Sequence, residues 1–140
     1  RRSLRRGRVP PVIAVDASAV LGILFREPEE AAFRTVLAKG GGVISPVNLW
    51  EVLVRAYVEL GDEGPVAAED LLVSLGVEVA TTSFEDARVA LRAFKSFGKR
   101  SVGRLNLGDC FAYALAEIEG DGLLFKGDDF PKTDVKSALG

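Results

Sequence analysis

Short apolar runs alternate along the chain with longer amphipathic ones. Val12-Ile13-Ala14-Val15 is too short for a helix and rich in β-branched residues, which predicts a buried strand. Ser18 to Phe25 then reads as helical, and Pro28 with Glu29 and Glu30 fits the first turn of another helix ending near Gly40. Val43-Ile44-Ser45 predicts a second strand. From Pro46 to Leu60 the apolar positions Leu49, Trp50, Leu53, Val54, Tyr57 and Val58 recur with helical spacing, and Gly61 stops the run. Pro65 to Leu75 is a further helix, and Val77 to Ala80 a third strand. Ser83 with Asp86 three residues on has the form of a capping box, opening a helix that runs to about Phe97. A basic, glycine-containing loop follows from Gly98 to Arg104. The last helix is predicted from about Leu107 to Ile118, and Leu123-Leu124-Phe125 is the last strand.

This alternation predicts an α/β fold: one domain with a parallel sheet of about four to five strands flanked by helices on both faces. Ligands of such sheets bind beyond the carboxyl ends of the strands. Asp16 follows the first predicted strand and Asp128 the last, so both are expected at the same edge.

At 140 residues and 48% apolar content the chain is one domain by size, with enough apolar material for a sizeable core. Residues 12–140 are expected to form that domain, and residues 1–11, rich in arginine, a disordered basic extension. No apolar run approaches the roughly 20 residues needed to span a bilayer, and the basic start leads into Pro10-Pro11 rather than a secretory signal. The expected location is the cytoplasm.

The net charge of −2 hides an asymmetry. Five of the 18 basic residues fall in the first eight positions, which leaves 13 basic against 20 acidic residues over 9–140. A groove that coats a polyanion needs positive charge, so an acidic body argues for a local, metal-mediated contact with phosphate rather than broad coating. Histidine is absent and Cys110 is the single cysteine, which excludes an internal disulfide and leaves the thiol without a conventional base. Cys110, among Phe111, Ala112 and Ala114, reads as a core residue.

With imidazole missing, the candidate chemistry falls to carboxylates. Asp16, Glu51, Asp109 and the Asp128-Asp129 pair are separated acids, each beside an apolar segment rather than in a charged run. Each also has a purely structural reading. Asp16 suits an N-cap, Asp109 a favourable place on a helix dipole, Glu51 an outward-facing position, and Asp128-Asp129 an ordinary turn. Gathered at one sheet edge, however, several carboxylates repel one another and raise their own pKa values unless a cation neutralises them. Oxygen-only ligands select Mg²⁺ or Mn²⁺ over zinc, and such an ion lowers the pKa of water and neutralises phosphoryl oxygens. The implied reaction is phosphodiester hydrolysis without a covalent intermediate.

Four segments, Val15-Asp16-Ala17-Ser18-Ala19, Asn48-Leu49-Trp50-Glu51-Val52-Leu53, Leu105 to Ala114 around Asp109, and Leu124-Phe125-Lys126-Gly127-Asp128-Asp129-Phe130, closely resemble the acidic motifs of PIN-domain ribonucleases. They are most similar to the VapC toxins of bacterial toxin–antitoxin pairs. The resemblance covers about residues 12–139 and rests on four motifs in the right order. It implies a metal-dependent endoribonuclease, commonly dimeric and inhibited by a VapB-type antitoxin. Asp16, Glu51 and Asp109 match the three core acids, and Asp128 is the expected fourth, with Asp129 its alternative in the same turn. Ser18 and Asn106 match positions that support the acids by hydrogen bonding.

The resemblance also suggests an antitoxin segment that inserts a cationic side chain among the acids, with apolar residues docking around Leu21, Leu24 and Phe25. For RNA contact the basic loop Lys99, Arg100 and Arg104 is the leading candidate, because it runs into the helix start that holds Asp109. Three other classes compete with that reading. A catalytically silent PIN module would use the same fold for binding alone. A receiver-type signalling domain wants paired acids after the first strand, and a haloacid-dehalogenase-like phosphatase a second Asp two residues after Asp16, where Ser18 stands.

Overall fold

The computed structural model describes residues 12–99 and 103–140. The basic head 1–11 and Arg100 lie outside the described residues. Ten elements follow one another: β1 (Ala14–Val15), α1 (Ala17–Leu24), α2 (Glu30–Leu37), β2 (Gly42–Ile44), α3 (Pro46–Leu60), α4 (Glu63–Leu75), β3 (Val77–Val79), α5 (Phe84–Phe97), α6 (Leu107–Glu119) and β4 (Leu123–Leu124), before a short 3₁₀ turn at Phe130–Lys132.

All pairings among the four strands are parallel, in the order β3-β2-β1-β4. Beyond β4 the chain nearly adds a fifth strand. Leu123 pairs in parallel with Ser137, its N–H donating to the Lys136 carbonyl at 2.9 Å while the Ala138 N–H returns a bond to the Leu123 carbonyl. The alternation of side chains along a strand divides the core into two layers. Ala14, Val43 and Leu123 face the layer built with α5 and α6, while Ile13, Val15, Ile44 and Leu124 face the layer built with α1 to α4. Strands packed on both faces need apolar side chains on both, which is why β1, β2 and β4 show no polar alternation, whereas the edge strand β3 carries the exposed Glu78.

Local sequence sets the helix starts. Ser45 accepts a bond from the Val47 N–H ahead of Pro46 at the first turn of α3. Ser83 and Asp86 form the expected capping box of α5. Helix α2 opens at Glu30, so Pro28 and Glu29 lie in the turn before it rather than in its first turn. Helix α4 opens two residues earlier than its apolar pattern suggests, and Gly64 in its first turn packs directly on the Ala56 carbonyl of α3, where a Cβ would overlap it.

Helix α3 is the main departure from the apolar pattern. Its buried side chains are Asn48, Val52 and Ala56, with Leu49 and Leu53 half-buried against the core. Trp50, Tyr57 and Val58 are each more than half exposed. Both faces of α3 carry apolar residues, and periodicity alone does not say which one the sheet covers.

Candidate active site

The strand order reverses on either side of β1, whose neighbours are β2 and β4, and the chain leaving β1 and β4 defines the crevice where α/β sheets bind ligands. Asp16 is the first residue after β1. It caps α1, its Oδ2 accepting from the Ser18 N–H at 3.0 Å and from the Ser18 hydroxyl at 2.6 Å. The same hydroxyl accepts from the Lys126 N–H, 2.9 Å away beyond β4. Ser18 therefore fixes one acid and ties the exits of two strands together.

Asp109 reaches the crevice from the first turn of α6. Asn106 and Asp109 form a reciprocal capping box, with the Asp109 N–H donating to Asn106 Oδ1 at 2.9 Å and the Asn106 N–H to Asp109 Oδ2 at 3.1 Å. Glu51 points from α3. Asn48, fully buried one turn earlier, donates through Nδ2 both to Glu51 Oε1 at 2.8 Å and to the Gly108 carbonyl at 3.0 Å. Gly108 faces the Glu51 carboxylate so closely that a Cβ there would overlap it. A bare Cα at position 108 is the seat of that carboxylate.

Asp16, Glu51 and Asp109 line one open cavity of about 630 Å³, together with Ser18, Lys126 and Gly127. Burial, opposed by the Ser18 bonds and reinforced by the charge of Glu51, pushes the Asp16 carboxyl up to about 6. Burial likewise pushes Asp109 up to about 6, opposed by the Asn106 N–H and reinforced by Asp16 and Asp129. Glu51 is raised by burial, against the Asn48 bond and with the charge of Asp109. The three acids thus form a mutually repelling set with each carboxylate held through one oxygen. Among the described residues they do not close into a group of three ligands on their own.

The capping roles of Asp16 and Asp109 do not compete with a role in the cavity, since the cap uses one oxygen and aims the group. Asp128 and Asp129 are exposed in the turn beyond Gly127 and do not line the cavity, but the charge of Asp129 acts on Asp109. Lys99 and Arg104 do not line it either; the cations that do are Arg55 and Lys126. Lys126 Nζ lies 3.0 Å from Glu27 and 3.3 Å from Glu29. Leu21 and Phe25 line the cavity as well, whereas Leu24 faces a separate hollow with Ala67 and Leu71 of α4. Cys110 is buried in the α5–α6 layer, where burial pushes its thiol up to about 11.

Asn48, Gly108, Trp50 and Arg55 were not singled out as site residues by the sequence. A signal existed for Asn48, a polar residue one helical turn before an acid in an apolar helix. Gly108 carried none, because its contact is with a residue 57 positions away.

A crevice of this topology, walled by a buried Asp16 after β1 and by the half-buried carboxylates of Glu51 on α3 and Asp109 on α6, defines a PIN domain, and the sequence profile of the PIN domain matches residues 13–136. The chain belongs to that family. Its curated relatives are VapC ribonucleases. Ribonuclease VapC42 of Mycobacterium tuberculosis is 34% identical over 129 residues, spanning 89% of this chain and 97% of the relative. Ribonuclease VapC36 of the same organism is 36% identical over 127 residues, spanning 87% and 90%. Among solved structures, the crystal structure of Mycobacterium tuberculosis VapC20, a sarcin-ricin loop cleaving toxin, superposes with a TM-score of 0.70 at 17% identity, covering 88% of this chain and 95% of that one. That likeness carries the fold; the family membership rests on the sequence matches.

Proposed function

We propose that the acidic cavity hydrolyses RNA phosphodiester bonds with the help of a divalent cation, as the active site of a toxin–antitoxin endoribonuclease. The ribonuclease class comes with membership of the VapC family. The observation that carries the metal assignment is the convergence of Asp16, Glu51 and Asp109, each raised by burial and by another acid, on one cavity. Oxygen donors alone, seated against a glycine that leaves room for the Glu51 carboxylate, fit Mg²⁺ or Mn²⁺.

When bound, such an ion neutralises phosphoryl oxygens and acidifies water. Asp16, Glu51 and Asp109 would hold it. For the fourth acid we favour Asp129 over Asp128, because its charge is felt by Asp109. Ser18 and Asn106 keep Asp16 and Asp109 in place, and Asn48 keeps Glu51 there. The basic loop with Lys99, Arg100 and Arg104 is assigned to more distant RNA phosphates, since it precedes α6 in the chain.

The cognate VapB-type antitoxin is proposed to enter the same cavity, with a cationic side chain among the acids and apolar contacts on Leu21 and Phe25. A second copy of the chain is proposed to cover the apolar groove between α5 and α6, where Leu91, Phe94 and Leu107 are each at least half exposed around a hollow of about 340 Å³. No helix among the described residues is long and apolar enough to cross a membrane.

Purified protein should cleave single-stranded RNA with Mg²⁺ or Mn²⁺, stop on chelation, and resume on readdition. Asp109→Asn should abolish cleavage while the fold persists. Cleavage undiminished by chelation would remove the cation from the reading, and full activity of Asp109→Asn would remove the site.

A further inference from the structure

Trp50 precedes Glu51 on α3 and is 63% exposed, yet it lines the same cavity as the three acids. It is the single tryptophan of the chain. The buried stripe of α3 runs through Asn48, Val52 and Ala56, so the indole is directed away from the core by the helix itself and makes no contribution to the two packed layers. Val54, one turn on, continues its face along the cavity wall. Arg55 lines the same cavity, with its Nη2 3.9 Å from the exposed Glu59.

We infer that Trp50 is a base-stacking platform for single-stranded RNA, and that it holds the nucleobase next to the phosphate lying on the acids. The inference rests on the ribonuclease reading of the same cavity. Its physical basis is adjacency. A phosphate seated at Glu51 has its neighbouring nucleosides within one nucleotide's reach, and of the two aromatic rings on the cavity, Phe25 and Trp50, the indole is the one more than half exposed. Stacking on an aromatic ring is how proteins hold unpaired RNA bases, and it requires the base to be unstacked from its own helix. Arg55, on the same cavity, supplies a positive charge for the next phosphate along the strand. A paired duplex cannot present a splayed base, so the chemistry selects single-stranded segments or loops.

The sole tryptophan makes the test direct. A phosphorothioate oligoribonucleotide, cleaved slowly enough for binding to be read, should quench the intrinsic tryptophan fluorescence on titration. In steady-state cleavage of a single-stranded oligoribonucleotide with Mn²⁺, Trp50→Ala should raise KM about tenfold with little change in kcat, and Trp50→Phe should recover most of the loss. An abasic site next to the scissile phosphate should weaken the wild type but not Trp50→Ala, which isolates the stacking pair. The melting temperature should be unchanged in both variants, because the ring packs in neither core layer.

An active wild type whose KM is unaffected by Trp50→Ala, with no quenching, overturns the platform and leaves the nuclease reading standing. Quenching without any cleavage, whatever the divalent ion, supports the platform and sinks the nuclease. Trp50→Ala that alters the solution mass of the protein while KM stays constant assigns the ring to a protein interface and overturns the inference.

Discussion

At the scale of single residues, the acids at the cavity are held in a state that costs stability. Asp16 has a folded pKa of about 6 against an ordinary 3.8. Its contribution is therefore most favourable below about pH 4 and is lost as pH rises through 6, a difference on the order of 3 kcal/mol for this buried group. Metal-free protein should gain melting temperature as pH is lowered from 7.5 toward 5, and Asp16→Asn should flatten that gain while raising stability at pH 7.5. Cation affinity should move oppositely, growing as pH rises through 6. A metal-free wild type whose melting temperature falls steadily over that interval, in parallel with Asp16→Asn, would show that the buried Asp16 carboxylate carries no such cost. The acids were legible in the sequence because each stands at a junction: Asp16 after an apolar run, Asp109 three residues after a capping asparagine. Gly108 was not, since its value lies in an absent side chain opposite a residue far away in the chain.

Among the elements, α3 carries the most functional information and was the hardest to read. Its start, its end and Glu51 followed from Pro46, Gly61 and the spacing between them. Which of its faces meets the sheet did not, because Leu49 and Leu53 half-bury while Trp50 and Tyr57 face outward at overlapping helical periods. The decisive residue is Asn48, polar yet wholly enclosed, whose amide joins α3 to the start of α6 by donating to Glu51 and to the Gly108 carbonyl. Asn48→Ala strands that buried carbonyl and releases the carboxylate. It should cost about 1–3 kcal/mol of stability. If Asn48 also positions Glu51, Mn²⁺ affinity measured by calorimetry should weaken, with kcat falling more than KM rises. Reduced stability with unaltered Mn²⁺ affinity and kcat would confine Asn48 to a structural part.

For the whole molecule, the alternation of elements predicted the parallel sheet and its flanking helices well, since those follow from local period and helix punctuation. The near-fifth strand at residues 136–138 has no signature in the sequence, because a single bridged residue leaves no periodic trace. The groove between α5 and α6 offers the test of assembly: Leu91→Glu and Phe94→Glu should each yield a monomer by light scattering with cleavage intact, and an unchanged dimer would place the interface elsewhere. The hydroxyl of Ser18 has a consequence in time as well as in space. It joins the exit of the first strand to the Lys126 N–H at the exit of the last, more than a hundred residues later in synthesis. A nascent chain that has not yet delivered β4 therefore has the Ser18 hydroxyl on Asp16 but not the Lys126 N–H that anchors it, and a crevice without its far wall. The crevice is therefore assembled late: one wall is made with the first strand, and the other waits for the last strand to dock beside it.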